Sequence, residues 1–137
     1  MSIGSNLGPT QEVAYQPGVC NIGPAEIARR RRSGHVGLLI SVVLLAVLLA
    51  AGAPHWLRLA LVLPVAVSAA GYLQARFHFC ARFGSAGVYN FEAVGSVVQV
   101  ADPAARARDR RSSLEIGLAS LAIGLAAGIL AALAPIG

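Results

Sequence analysis

The chain contains no lysine, and only 12% of its 137 residues are charged, about half the share usual in soluble domains. Eleven arginines stand against six acids, too few polar groups to coat a soluble globule of this size. The same numbers exclude intrinsic disorder, which needs low hydrophobicity and high charge; here 56% of residues are hydrophobic and mean hydropathy is +0.68. Two cysteines cannot build a disulfide framework. Glycine-rich phosphate loops and nucleophile elbows are missing, and Glu92, Asp102 and Asp109 are too scattered to form a carboxylate pair. No internal repeat stands out.

What the chain does have is long uncharged runs. Residues 36–53 (18 residues), 59–75 (17) and 116–137 (22) contain no charged side chain. At about 1.5 Å per residue the first reaches roughly 27 Å, close to the hydrocarbon thickness of a bilayer. Lipid offers no partner to backbone amides, so each run is expected to be helical. The expected fold is an all-α integral membrane protein of three transmembrane helices with a small cytoplasmic cap. It divides into an N-terminal segment (1–34) with a basic juxtamembrane helix, a helical hairpin (35–75), a cytoplasmic loop (76–112) and a third span (113–137).

Ten of the eleven arginines fall on one side of these spans, and Arg58 alone falls on the other. The positive-inside rule puts the ten in the cytoplasm, with the N-terminus inside and the C-terminus outside; Arg58 is expected to snorkel to the opposite headgroups. The first run is read as a retained span, since 35 residues precede it and Pro54 would follow a cut after Ala51-Gly52-Ala53. Nothing marks a lipid anchor. External receptor or catalytic domains have no room in a turn at Pro54 and His55 and a tail at 135–137. The spans lack the central ionisable groups that mark proton relays and ion paths. Arg29, Arg30, Arg31 and Arg32 are expected to meet anionic headgroups, which accounts for the positive charge without nucleic acid.

The N-terminal tail (1–19) reads as irregular, with a turn at Pro17-Gly18. Gly23-Pro24 opens a short helix with Glu26 at its positive end. Residues 88–100 fit a small hairpin or an irregular plug. Asp102-Pro103 begins a basic helix through Arg111, and Ser112-Ser113-Leu114-Glu115 is a capping box that would start the third span. In that span Ser120, Gly124, Gly128 and Ala132 form a small-residue stripe, suited to close packing against the chain's own helices or against a second copy.

Cys20, Cys80, His35 and His78 are expected at one membrane depth. Their elements suit tetrahedral zinc, but the spacing is no known finger or ribbon, so no metal or other cofactor is expected. Cys80 is flanked by Arg76, His78 and Arg82, cations that stabilise a thiolate. The alternative is that Cys80 packs between Phe79 and Phe83.

Two stretches carry a resemblance. Asn21-Ile22-Gly23-x-x-Glu26-Ile27-x-x-Arg30 before an apolar helix, and Cys80 followed by Gly87-Val88-Tyr89-Asn90, resemble the motifs of a small bacterial inner-membrane domain of unknown function, sometimes fused to rhodanese domains. The likeness covers about residues 20–90. Ala81 stands where that family usually has proline, Tyr89 looks like an insertion, and the third span is additional. The resemblance implies a location in the bacterial inner membrane and a helical hairpin whose two polar motifs meet at its cytoplasmic mouth. Asn21, Gly23, Glu26, Arg30, Cys80, Gly87 and Asn90 would form that junction, with Glu26 paired to Arg30 or Arg76. The expected function is a non-enzymatic structural or accessory module, self-associating or part of a larger membrane complex. The alternative is a thiol- or sulfur-handling protein using Cys80 with Cys20.

Overall fold

The computed structural model describes residues 15–136; most of the expected irregular tail lies outside the described residues. The elements in order are α1 (Pro24–Ala50), a 3-10 segment (His55–Leu61), α2 (Val62–Phe77), α3 (Ala81–Ala86), β1 (Val88–Tyr89), β2 (Val98–Gln99) and α4 (Pro103–Leu133). Among the described residues, three stretches are long and apolar enough to cross a membrane: Pro24–Ala50, His55–Phe77 and Pro103–Leu133.

Two expected boundaries disappear. The basic juxtamembrane helix and the first span are one continuous helix of 27 residues, and the basic helix after Pro103 runs unbroken into the third span for 31. The second is capped by Asp102, whose side chain accepts from the Ala104 amide at 3.1 Å. Ser112–Glu115 is therefore no helix start. A second N-terminus there would orphan four amides, while the Ala- and Arg-rich sequence has no breaker to force one. The Ser112 hydroxyl donates instead to the Gly18 carbonyl at 2.6 Å, and that of Ser113 to the Asp109 carbonyl at 2.8 Å.

α2 lies between α1 and α4, and small residues set both interfaces. A Cβ on Gly71 would lie 2.5 Å from the Gly34 amide nitrogen and 2.7 Å from the Arg30 carbonyl; one on Gly37 would meet the Ser68 backbone at 2.8 Å. Ser68 ties the same contact by donating to the Gly34 carbonyl at 2.8 Å. On the other face Gly124 abuts the Val62 carbonyl and Ala66, and Gly128 abuts the Val62 side chain. Ser120, Gly124 and Gly128 are buried and Ala132 is half-buried. The small-residue stripe is thus filled within the chain. Large apolar side chains such as Leu39, Leu63 and Leu130 point outward on all three helices.

Arg58 does not snorkel. It is 2% exposed and donates to the carbonyls of Ala131 (3.1 Å), Ala134 (3.2 Å) and Ile136. Helix C-termini leave carbonyls unpaired and carry partial negative charge, so the end of α4 receives both terminal nitrogens of the guanidinium, while Nε is buried without a partner among the described residues. His55 adds a bond from Nδ1 to the Ala132 carbonyl at 3.1 Å.

At the arginine-rich end, β1 and β2 pair antiparallel, Val88 with Gln99 and Tyr89 with Val98. Of the two readings for 88–100, the hairpin forms at its base while the intervening residues stay irregular. Tyr89, Val100 and Ala105 make a small apolar cluster with Tyr15 and Phe91 against it, and Tyr15 stacks on Tyr89 at 4.6 Å between ring centroids.

Candidate functional site: a buried polar clasp

The chain enters the arginine-rich end through the turn at Pro17-Gly18, where the Val19 and Cys20 amides donate to the Gln16 carbonyl, each at 2.9 Å. Gly18 has φ of +72°, a conformation that favours glycine. The chain then runs extended beside the end of the hairpin loop. Asn90 N donates to the Asn21 carbonyl, and Gly23 N to the Asn90 carbonyl, both at 2.9 Å. Gly23 is required by the approach itself, since a Cβ there would sit 2.8 Å from the Phe91 backbone.

α2 ends on His78, whose left-handed backbone (φ 54°) turns the chain so that Phe79 N reaches the Gln74 carbonyl at 3.1 Å. That reversal delivers Cys80 to Asn21. The Asn21 side chain satisfies both polar groups of the Cys80 backbone: Oδ1 accepts from Cys80 N at 2.7 Å and Nδ2 donates to the Cys80 carbonyl at 3.1 Å. Gln74 Oε1 accepts the next amide, Ala81 N, at 2.9 Å.

Below this junction sits a charged cluster. Glu26 Oε1 accepts from Arg30 Nη1 at 3.0 Å and Glu26 Oε2 accepts from Asn90 Nδ2 at 2.9 Å. Asn90 also donates to the Ala93 carbonyl at 2.8 Å and accepts from Glu92 N at 2.9 Å. The second terminal nitrogen of Arg30 donates to the Cys80 sulfur at 2.8 Å, and the guanidinium lies 5.4 Å from the centre of the Phe83 ring. Glu26 and Asn90 are fully buried, Cys80 is 1% exposed and Arg30 8%. Buried charges are tolerated when paired and hydrogen-bonded, and here each one is.

A second tie holds the N-terminal segment to α4. Asp109, fully buried, accepts from the Tyr15 hydroxyl and from Gly18 N at 2.6 Å. Burial, with the hydrogen bond to Asp109, pushes the Tyr15 phenol well above its ordinary value. Burial also pushes the Cys20 thiol up. Gly84 of α3 rests directly on Ser113 and the Asp109 carbonyl, with no space for a side chain.

Six of the seven expected motif residues converge: Asn21, Gly23, Glu26, Arg30, Cys80 and Asn90. Gly87 plays a different part, closing α3 in a left-handed turn (φ +74°) against Arg106. Glu26 takes Arg30 as its partner rather than the exposed Arg76. Arg30 thereby departs from the expected headgroup-facing set; Arg29, Arg31 and Arg32 remain exposed while Arg30 turns inward, because it is the residue one turn after Glu26. The Cys20 sulfur faces the Ile22 carbonyl, two residues along its own segment, at 3.9 Å. His35 bonds Tyr72 at 2.7 Å, and His78 is an exposed helix cap. Among the described residues no three His, Cys, Asp or Glu side chains converge to hold a metal ion.

Tyr15, Asp109 and Gln74 were not anticipated. A signal for Asp109 existed: Ala105, Asp109 and Ser113 continue at four-residue spacing toward the stripe that begins at Ser120, and all are buried. In comparisons with protein families, curated proteins and solved structures, no match to the chain was found.

Proposed function

We propose that this is a multi-pass protein of the bacterial cytoplasmic membrane, with the arginine-rich end and N-terminus inside, acting as a non-enzymatic accessory module through that end. One observation carries the reading: the side chains with catalytic potential at the site, Cys80, Glu26, Arg30 and Asp109, are buried and hydrogen-bonded to one another or to backbone. Reactive thiols sit partly exposed; Cys80 is shielded and its sulfur already accepts a bond. A satisfied polar network of this kind rigidifies and specifies one arrangement. It holds the hairpin, α3 and the N-terminal segment as a preformed cytoplasmic cap. The kinship proposed with this reading is to the small inner-membrane domain sometimes fused to rhodanese domains, on the two sequence motifs that resemble it. Association with a second copy or a larger membrane complex would use exposed faces, since the Gly124–Gly128 stripe is filled within the chain.

The Arg30–Cys80 contact favours the second reading, in which Cys80 handles sulfur with Cys20. Blue-native electrophoresis of native membranes, run on wild type and on the Cys20→Ser/Cys80→Ser variant, separates the two. The accessory reading expects an assembly larger than the 14.0 kDa chain, unchanged in the double variant. A monomer whose Cys80 alkylates readily at neutral pH would overturn it.

A further inference from the structure

A groove of about 640 Å³ opens between α1 and α2 on the outer face of the bundle. Its floor is Gly37, where the two helices touch, and its walls are apolar, with Ile40 and Leu44 on α1 facing Leu63 and Val67 on α2. At the arginine-rich end it is closed by Arg29, Arg32 and Ser33, all exposed. From Ser33 to Leu44 the helix rises roughly 17 Å, close to the ~15 Å depth of one leaflet's hydrocarbon. One end is cationic and hydrogen-bonding, the rest is apolar, and the length is that of a single leaflet.

We propose that this groove is a specific site for one anionic phospholipid, its acyl chain lying along Ile40 and Leu44 and its phosphate held by Arg29, Arg32 and Ser33. Arg29 makes one long ion pair, 3.9 Å from Glu26, and its side chain is half exposed, so its remaining donors are open to a phosphate. A second groove, of about 470 Å³ between α2 and α4, has Glu115 at its edge and no arginine in its lining, so it does not share the charge complementarity. The proposal rests on the reading that the arginine-rich end lies at headgroup level.

The test uses the full chain purified in neutral detergent, titrated with phosphatidylglycerol, phosphatidylcholine or water-soluble glycerol 3-phosphate, with retained lipid counted by native mass spectrometry. The expected result is one phosphatidylglycerol per chain, held in preference to phosphatidylcholine and not displaced by glycerol 3-phosphate. Arg29→Gln and Arg32→Gln should each weaken retention about fivefold. Arg31→Gln, which removes the same charge outside the groove, should leave it within twofold. Ile40→Trp fills the groove without touching charge and should abolish retention; Val67→Phe does the same from the opposite wall, and circular dichroism confirms that both fold. Equal weakening by Arg31→Gln and Arg32→Gln would mean diffuse charge and overturn the site. Retention unaffected by Ile40→Trp and Val67→Phe, or displacement by glycerol 3-phosphate, would overturn the acyl groove. A complete lack of preference for anionic lipid in wild type would sink the headgroup placement itself, a distinct failure from loss of the groove alone.

Discussion

Replacing Glu26 with alanine removes the acceptor of Arg30 Nη1 at 3.0 Å and of Asn90 Nδ2 at 2.9 Å. Breaking a buried ion pair from one side costs roughly 3–5 kcal/mol, because the surviving charge stays buried without compensation. Arg30 keeps its contacts to Cys80 and Phe83, and Asn90 keeps the Ala93 carbonyl, which places the expected cost at the lower end, about 3 kcal/mol. Arg30→Met should cost a similar amount, since it strands a fully buried carboxylate. The double variant Glu26→Ala/Arg30→Met should cost no more than the larger single, a coupling of about 3 kcal/mol or more. The assay is unfolding by sodium dodecyl sulfate in mixed micelles, followed by circular dichroism and by the alkylation rate of Cys80, which reports opening of the clasp itself. Single variants within about 0.5 kcal/mol of wild type, or singles that simply add, would refute the idea that these two charges are buried against each other.

Three further outcomes follow from the geometry. Gly71→Ala should destabilise by about 2–3 kcal/mol because its Cβ meets backbone of α1, whereas Gly117→Ala, which meets nothing, should stabilise by up to ~1 kcal/mol; paired detergent melts check the opposite signs. Arg58→Met should cost about 2–4 kcal/mol and speed hydrogen exchange over the last turn of α4, where a snorkelling arginine would have left both unchanged. The Tyr15 phenol is raised in the folded state, so its contribution is complete below the unfolded value of about 10 and is lost as pH rises through the higher folded value. Alkaline titration should release the N-terminal segment in wild type, and Tyr15→Phe should weaken that pH dependence, leaving the part that the raised Cys20 thiol contributes, both read by near-ultraviolet circular dichroism.

The spans were legible because lipid imposes length and apolarity on any helix that crosses it. Their ends were less so. The break expected at Ser112 rested on a local capping pattern, and Ser112 and Ser113 proved to face Gly18 and Asp109. Arg58 looked like a snorkelling residue by its position alone; its carbonyl partners lie 73 to 78 residues away and leave no local trace. The clasp was partly legible, since the spacing of Asn21, Glu26 and Arg30 and the later Cys80 and Asn90 suggested a junction. Arg30 stood in two expected sets, the junction and the headgroup-facing cluster of identical arginines, and the four-residue offset from Glu26 is what assigns it to the first. The lipid groove depends on the pairing of Gly37 with Ser68, a contact set by the register of α1 against α2 rather than by either helix alone.

The most direct test of the buried clasp is the alkylation rate of Cys80 in native membranes, measured on the Cys20→Ser variant from pH 6 to 9. A sulfur that is 1% exposed and bound by Arg30 should stay unlabelled across that range until the protein is unfolded, and Glu26→Ala should accelerate labelling by loosening the clasp. Rapid labelling of the native protein near neutral pH would show an accessible thiolate, contradict the structural role, and make sulfur chemistry the function of this end of the molecule.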